Sequence, residues 1–325
     1  MAPLTRRSLR FLGAALALAG CSDDTHGHDD AAADVHVHDD ATAQDVTATD
    51  SATDSATDAS ATDAPPSGNT EIRFAAKVGA MPFACTSTYT NMGASSATWV
   101  PLDFRLYVHD VRLLTASGAE VPLTLTQDGT FQYQNLALLD FENRGGTCVN
   151  GNVPTNAVVR GTLPAGMTGP FTGVRFKLGV PFALNHGDAA TQPSPLNLTS
   201  LWWNWQGGHK FLRIDGRITD AMGAVLVPSW NIHLGSTGCN GTAAGGVTTC
   251  ANPNRPEVTL MGFDPSRNTI VADLGLLVAG ADLSRSVGAP GCMSDPSDTD
   301  CAPVFSSLGI SFGGTPGTQR FFRVE

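Results

Sequence analysis

From residue 70 onward the chain is cut into short pieces by turn-forming residues. The sequence holds 35 Gly and 20 Pro, and between them stand runs rich in β-branched and aromatic residues: Glu71–Val78, Asp103–Leu114, Val121–Leu125, Phe171–Val180, Lys210–Ile218, Val225–Leu234 and Glu257–Leu260. Gly weakens a helix through backbone entropy, and Pro through its fixed φ and missing N–H. Only Asp264–Ala279 carries mixed signals for a short helix and a strand. Many short strands with regular turn signals predict an all-β sandwich or barrel rather than a βαβ fold. Residues 70–325 show no internal repeat or linker and are long enough to bury a full core as one domain with disulfide-stapled loops.

The formal charge of −11 is unevenly placed. Residues 1–20 carry three Arg and no acid, while residues 21–69 carry twelve Asp and no Lys, Arg or Glu. The remaining body has 16 basic against 18 acidic residues, a net −2, which speaks against a nucleic-acid binder with its basic face.

The N-terminus reads as an address. Arg6, Arg7 and Arg10 precede the apolar run Phe11–Ala19, too short to span a bilayer and suited to a signal h-region. The run ends Leu18-Ala19-Gly20-Cys21, which resembles a bacterial lipobox. That resemblance implies export, cleavage after residue 20 and lipidation of Cys21, at the periplasmic or outer cell surface. Arg6-Arg7 admits a twin-arginine route, and a plain secretory signal with an incidental Cys is the alternative. Residues 21–69 are Asp, Ala, Thr and Ser with little to bury, so they are expected to form a disordered, self-repelling tether. His26-Gly-His28-Asp29-Asp30 and His36-Val-His38-Asp39-Asp40 repeat a pattern that holds Cu²⁺, Zn²⁺ or Ni²⁺ loosely; incidental His in a solvated tail is the alternative.

Discounting Cys21, six Cys remain: Cys85, Cys148, Cys239, Cys250, Cys292 and Cys301. An even count in an exported body predicts three disulfides. Cys239/Cys250 and Cys292/Cys301 close short polar loops, which favours local pairing and leaves Cys85 for Cys148. A thiolate metal site is the alternative, but the chain has no Cys-x-x-Cys.

No Gly-x-Ser-x-Gly, His-Glu-x-x-His or phosphate loop occurs, and the acids show no obvious catalytic pair, so a binding protein is expected rather than an enzyme. Three of the five Trp fall in Trp202-Trp203-Asn204-Trp205. On a strand, Trp203 and Trp205 share one face and Trp202 takes the other. They suit an aromatic core, or a platform for carbohydrate or protein binding. Four His lie in the body. His109 is expected to share an inward strand face with Tyr107, Val111 and Leu113, and His233 to oppose Trp230, Ile232 and Leu234. His186 follows Asn185 in a loop, and His209 follows Gly207-Gly208. Asp295, Asp298 and Asp300 between Cys292 and Cys301 are of the type that binds Ca²⁺, or form a solvated acidic loop.

Taken together, Leu106-Tyr107-Val108-His109-Asp110-Val111, Gly179-Val180-Pro181-Phe182 through His186, Trp203-Asn204-Trp205-Gln206-Gly207-Gly208, His233-Leu234-Gly235-Ser236-Thr237-Gly238-Cys239 and Cys292-Met293-Ser294 through Cys301 resemble the MbnP-like copper-binding family, the four-Cys half of the so-called metallo-mystery pair. The resemblance covers nearly all of 70–325 and excludes the tether. It implies a mostly β protein whose Trp is oxidised to kynurenine by a di-haem cytochrome c peroxidase-like partner and which then binds copper. Related surface proteins use two imidazoles and a kynurenine amine, neutral donors that suit Cu(I) in particular. Carried over, Trp203 and Trp205 match the family's Trp-x-Trp, with Trp203 preferred for oxidation. His233 in His-Leu-Gly is the first ligand, His109 the second, and His186 a further candidate in a loop that also suits a hinge. His209 stands where the family is expected to have Tyr.

Overall fold

The computed structural model describes residues 68–325. The expected signal sequence, Cys21 and the histidines of the expected tether lie outside the described residues.

The fold is organised by one long strand, Ala97–Thr115. Its sequence is a near-unbroken series of β-branched, aromatic and long apolar residues, and it is paired along both edges. One edge is used twice: Thr98–Leu106 pairs with the strand Leu212–Thr219, and Val108–Thr115 with the strand Phe171–Leu178. The exchange occurs at Tyr107, whose N–H donates to the Phe211 carbonyl at 2.8 Å and whose carbonyl accepts the Gly179 N–H at 2.7 Å. The other edge takes Tyr89–Met92, Leu136–Asp140 and Glu120–Pro122. The sheet widens from Leu212–Thr219 to Val225–Leu234, and then to the short parallel strand Gly291–Cys292. A second sheet runs Phe322–Val324, Thr269–Asp273, Asn69–Val78, Val158–Thr162, Thr124–Leu125.

The two sheets face each other across a sandwich core. Phe176 of the first meets Phe74 and Phe322 of the second edge-on, at 5.7 and 5.1 Å between ring centroids. Phe104, Leu106, Leu212, Ile214, Ile232 and Leu234, on three adjacent strands, are all essentially inaccessible. Each fully buried side chain of this size contributes roughly 1.5–3 kcal/mol. The all-β expectation holds, and Thr269–Asp273 running into the helix Leu274–Leu277 matches the mixed signal of 264–279. The helix Cys301–Leu308 was not anticipated; it buries Val304, Phe305 and Leu308 and ends at Gly309 with φ 79°, a left-handed C-cap that glycine adopts without steric cost. Among the described residues no helix is long and apolar enough to cross a membrane.

Cys85–Cys148, Cys239–Cys250 and Cys292–Cys301 form the expected disulfides. The first spans 63 residues. By the chain-entropy argument a closed loop of that length stabilises by about 4 kcal/mol. The Cys85→Ser/Cys148→Ser protein should therefore show a lower urea midpoint and a steeper slope, because the unfolded chain is released, with the largest loss among the three paired-Ser variants.

Candidate functional site

Alternation along the strands sorts the first sheet into an apolar face and a polar face. Opposite Phe104, Leu106, Leu212, Ile214 and Ile232 lie Asp103, Arg105, Arg213, Asp215 and His233, in register across three strands. All but Arg213 are buried. Buried charges of this kind persist only when paired. Arg105 Nε donates to Asp103 Oδ1 at 2.8 Å, and Arg213 Nε lies 2.8 Å from Asp215 Oδ2 and 3.1 Å from Asp103 Oδ2. The surplus donors converge on one residue of the covering loop. Arg213 Nη1 and Lys210 Nζ both donate to the Ser200 carbonyl at 3.0 Å, and Arg105 Nη1 donates to its Oγ at 3.2 Å. The charged row thus clamps the turn Thr199–Leu201, and that turn delivers the tryptophans. Nothing in the sequence analysis singled out this network. The signal was present as Asp-x-Arg at 103–105 and Arg-x-Asp at 213–215, charges alternating inside apolar strands.

Trp202–Asn204 is a short strand paired with Gly208–His209. Asn204 Oδ1 accepts the N–H groups of Gln206 and Gly207 at 2.9 and 2.7 Å and turns the chain. Trp205 is therefore in the turn and does not share a strand face with Trp203. Gly208, at φ 72°, closes the hairpin where a Cβ would lie 2.6 Å from Asn185 Nδ2. The Trp203 ring rests on Gly235, where a Cβ would come within 2.3 Å of Cζ3. Gly235 lies two residues beyond His233, just past the end of the strand Val225–Leu234. Trp203, Asn204, Gln206, Thr237, Cys239 and Met293 line a solvent-open cavity of about 470 Å³.

His233 Nε2 donates to Asp215 Oδ1 at 2.7 Å. A carboxylate only accepts, so this bond fixes the tautomer and leaves the lone pair on Nδ1. That Nδ1 is buried without a partner. Burial alone would raise the Asp215 pKa; the bond from His233 and the Arg213 guanidinium outweigh it and hold the pKa below the ordinary value. His109 has the complementary arrangement: Nδ1–H donates to the Gly179 carbonyl at 2.7 Å, which leaves the lone pair on Nε2. Burial pushes its pKa down to about 4, against the carbonyl bond and with help from Arg255 and Lys177.

The comparisons bear on this geometry. A family model described as MbnP matches residues 67–294. The chain belongs to the MbnP family. Its structure is similar to that of MbnP from Methylosinus trichosporium, with 31% identity and a TM-score of 0.68, covering 79% of this chain and 98% of that one. No curated protein sequence matches the chain.

Against the ligand set expected for an MbnP-like protein, the histidines separate into distinct environments. The register sets His233 level with Arg105, two strands away from the central strand and four residues short of His109. In ordinary sheet geometry that is about 16 Å between the two Cα atoms, too far for one ion to bridge. The expectation that His109 shares a face with Val111 and Leu113 also fails. A bulge at Asp110, with φ 53°, breaks the alternation: His109 pairs with Lys177 and Arg112 with Arg175. His209 directs both ring nitrogens at backbone carbonyls, of Asn185 at 2.8 Å and Leu196 at 3.0 Å, so neither faces an open position for a metal. His186 is held between the Trp205 carbonyl at 3.1 Å and Asn185 Nδ2 at 3.0 Å.

His186 gathers with Cys239 and Cys250, and Glu142 with Cys85 and Cys148, each trio within 4.8 Å. In both trios the sulfurs are bonded to each other and offer no thiolate. Asp295, Asp298 and Asp300 do not converge as such a group; their carboxylates accept the N–H groups of Ser297, Asp300 and Val287, as turn and loop caps.

Two predictions test this arrangement. Gly235→Ala should displace the Trp203 ring, read as a shift in tryptophan emission, at a cost of about 1–3 kcal/mol from overpacking. His109 has a depressed folded-state pKa, so its contribution is complete above the unfolded value of 6.5 and lost as the pH falls toward 4. The stability difference between wild type and His109→Gln, from urea titrations, should shrink across that interval.

Proposed function

We propose that this protein is an exported, lipid-anchored copper-binding member of the MbnP family, not an enzyme, with its copper site at His233 and Trp203. The observation that carries the reading is the buried, unpartnered Nδ1 of His233 beside the Gly235 on which the Trp203 ring rests. An imidazole oriented through its other nitrogen by a carboxylate is the usual support of a metal-ligating His.

The Trp203 indole is a poor ligand as it stands, because its nitrogen lone pair belongs to the ring. A di-haem cytochrome c peroxidase-like partner would oxidise it. The C2–C3 bond of the indole breaks, each carbon takes an oxygen from one of two peroxides that are reduced to water, and hydrolysis then releases the formyl group as formate. What remains is kynurenine, with an aniline-type amine whose lone pair is available. Trp203 meets the requirements for this step: it is half-buried and lines a cavity open to solvent. Trp205 sits in the turn with its carbonyl engaged by His186. When bound, copper would be held by neutral nitrogen donors, a set that favours Cu(I). Asp215 would keep His233 in the ligating tautomer, and Arg213 would keep Asp215 charged. The three half-buried tryptophans do not form one flat exposed row, so the geometry gives no support to a carbohydrate platform. Cys21 would supply the membrane anchor.

Mass spectrometry of the protein produced with its haem partner tests the reading. Wild type and Trp205→Phe should carry one residue heavier by one oxygen and lighter by one carbon, and Trp203→Phe should not. His233→Ala should keep the modification and lose copper affinity, by on the order of a hundredfold or more in competition titrations. Equal copper affinity of the modified and unmodified proteins would overturn it.

A further inference from the structure

We infer that Asp140 is a proton-operated catch on the turn that carries Trp203: with its carboxyl group protonated it leaves Arg105 to hold Ser200, and once ionised it draws Arg105 away. The catch belongs to the charged face of the sheet and does not depend on copper.

The geometry follows from register. Leu136–Asp140 pairs antiparallel with the central strand, and Asp140 stands directly opposite Arg105. The two side chains therefore share a face, with their Cβ atoms about 5 Å apart. Asp140 is fixed there, because its N–H and its carbonyl are both bonded to Asn156, at 2.8 and 2.9 Å. Its Oδ1 accepts the Glu142 N–H at 3.0 Å, but its Oδ2 is buried and has no partner. The guanidinium opposite is engaged elsewhere at all three nitrogens: Nε and Nη2 donate to Asp103, and Nη1 to the Ser200 hydroxyl. The Asn156 amide is taken by the Leu138 carbonyl at 2.8 Å, and the Tyr107 hydroxyl by the Pro195 carbonyl at 2.8 Å.

A buried carboxylate is not stable in such a place, whereas a neutral carboxyl group costs far less. The charge count agrees. The buried and half-buried groups of the network are four carboxylates, Asp103, Asp140, Glu142 and Asp215, and three cations, Arg105, Lys210 and Arg213. His233, with its lone pair on Nδ1, adds none, and Arg144 beside Glu142 is exposed. One proton balances the network. Burial pushes the Asp140 pKa from 3.8 up to about 7, against the attraction of Arg105 and the Glu142 N–H; the charges of Asp103 and Glu142 push the same way. Burial raises Glu142 as well, whose Oε2 is also without a partner. A metal ion is the poorer occupant. Among the described residues no group of three metal-ligating side chains includes Asp140, and the residue it faces is already positive. When Asp140 ionises, a charge-assisted bond to Arg105 is stronger than the neutral one from Nη1 to Ser200 Oγ that it replaces. The turn keeps the bonds from Arg213 and Lys210 to its carbonyl, so it loosens without detaching, and Trp203 moves with it.

The test uses the whole protein without added metal. Infrared spectra at about pH 6, where ordinary carboxyl groups are ionised, should show a protonated carboxyl band that is lost in Asp140→Asn. Wild-type tryptophan emission should shift in a step centred at about pH 7 that Asp140→Asn lacks. Lys210, which burial and Arg213 bring down to about 8, titrates in both proteins and serves as the internal control. Ser200→Ala should keep the carboxyl band and lose the step, and it carries the test should Asp140→Asn fail to fold. Because the folded-state pKa is raised, the stability contributed by the proton is complete below 3.8 and lost as the pH rises to about 7. In urea titrations wild type should therefore lose stability relative to Asp140→Asn over that interval. A wild-type spectrum without the band, or an emission step that persists in Asp140→Asn or Ser200→Ala, overturns the catch. So does stabilisation of wild type but not of Asp140→Asn by Ca²⁺ at neutral pH, which would assign the place to a cation.

Discussion

The hydrogen-bonding of the central strand Ala97–Thr115 is the constraint on which the rest of the structure depends. Because it carries two different partners in succession along one edge, it holds the strands from the C-terminal half of the domain in a single frame with those of the N-terminal half. A strand paired on both edges cannot slip by one residue without turning every core side chain outward. The apolar face and the charged face are therefore defined together. Phe104 and Leu106 face the core because Asp103 and Arg105 face the other way.

The charged face is an unusual foundation for a site. Removing two ion pairs from water costs several kcal/mol per ion, and mutual attraction repays it only with good geometry and further hydrogen bonds. Here the surplus donors of Arg105, Lys210 and Arg213 are spent on Ser200. The consequence is positional. The Ser200 turn is seated on the sheet, and Trp202–Trp205 follow immediately, so the network sets where Trp203 lies relative to His233. The same network supplies Asp215, which orients the imidazole. Stability, placement and imidazole tautomer are in this way parts of one arrangement.

Much of the fold was legible because it depends on local signals. The strands Glu71–Val78 and Val225–Leu234 were marked by β-branched and aromatic residues between turns, and Cys239/Cys250 and Cys292/Cys301 by short polar loops that favour local pairing. The facing of His233 away from Ile232 and Leu234 was legible from alternation. The facing of His109 was not, because the bulge at Asp110 inserts one residue into the strand and reverses the pattern beyond it. The turn at Asn204 separated Trp203 from Trp205 for a related reason: a single side-chain acceptor diverted the backbone from an extended path that propensity alone favours.

By itself, then, the sequence determined the class of the fold and the disulfide-paired loops, and it held the residue types from which the proposed site is built. These follow from short-range spacing and from chemistry carried within single motifs. Which histidine stands beside which tryptophan was decided only by tertiary structure. His233, Gly235, Trp203 and Met293 are scattered over some ninety residues of chain, and what brings them together is the lateral register of the strands and the pull of a buried ion network on Ser200. The register leaves no periodic trace in the sequence, because it is a relation between strands and not within one, and the ion network leaves only the alternating charges at 103–105 and 213–215.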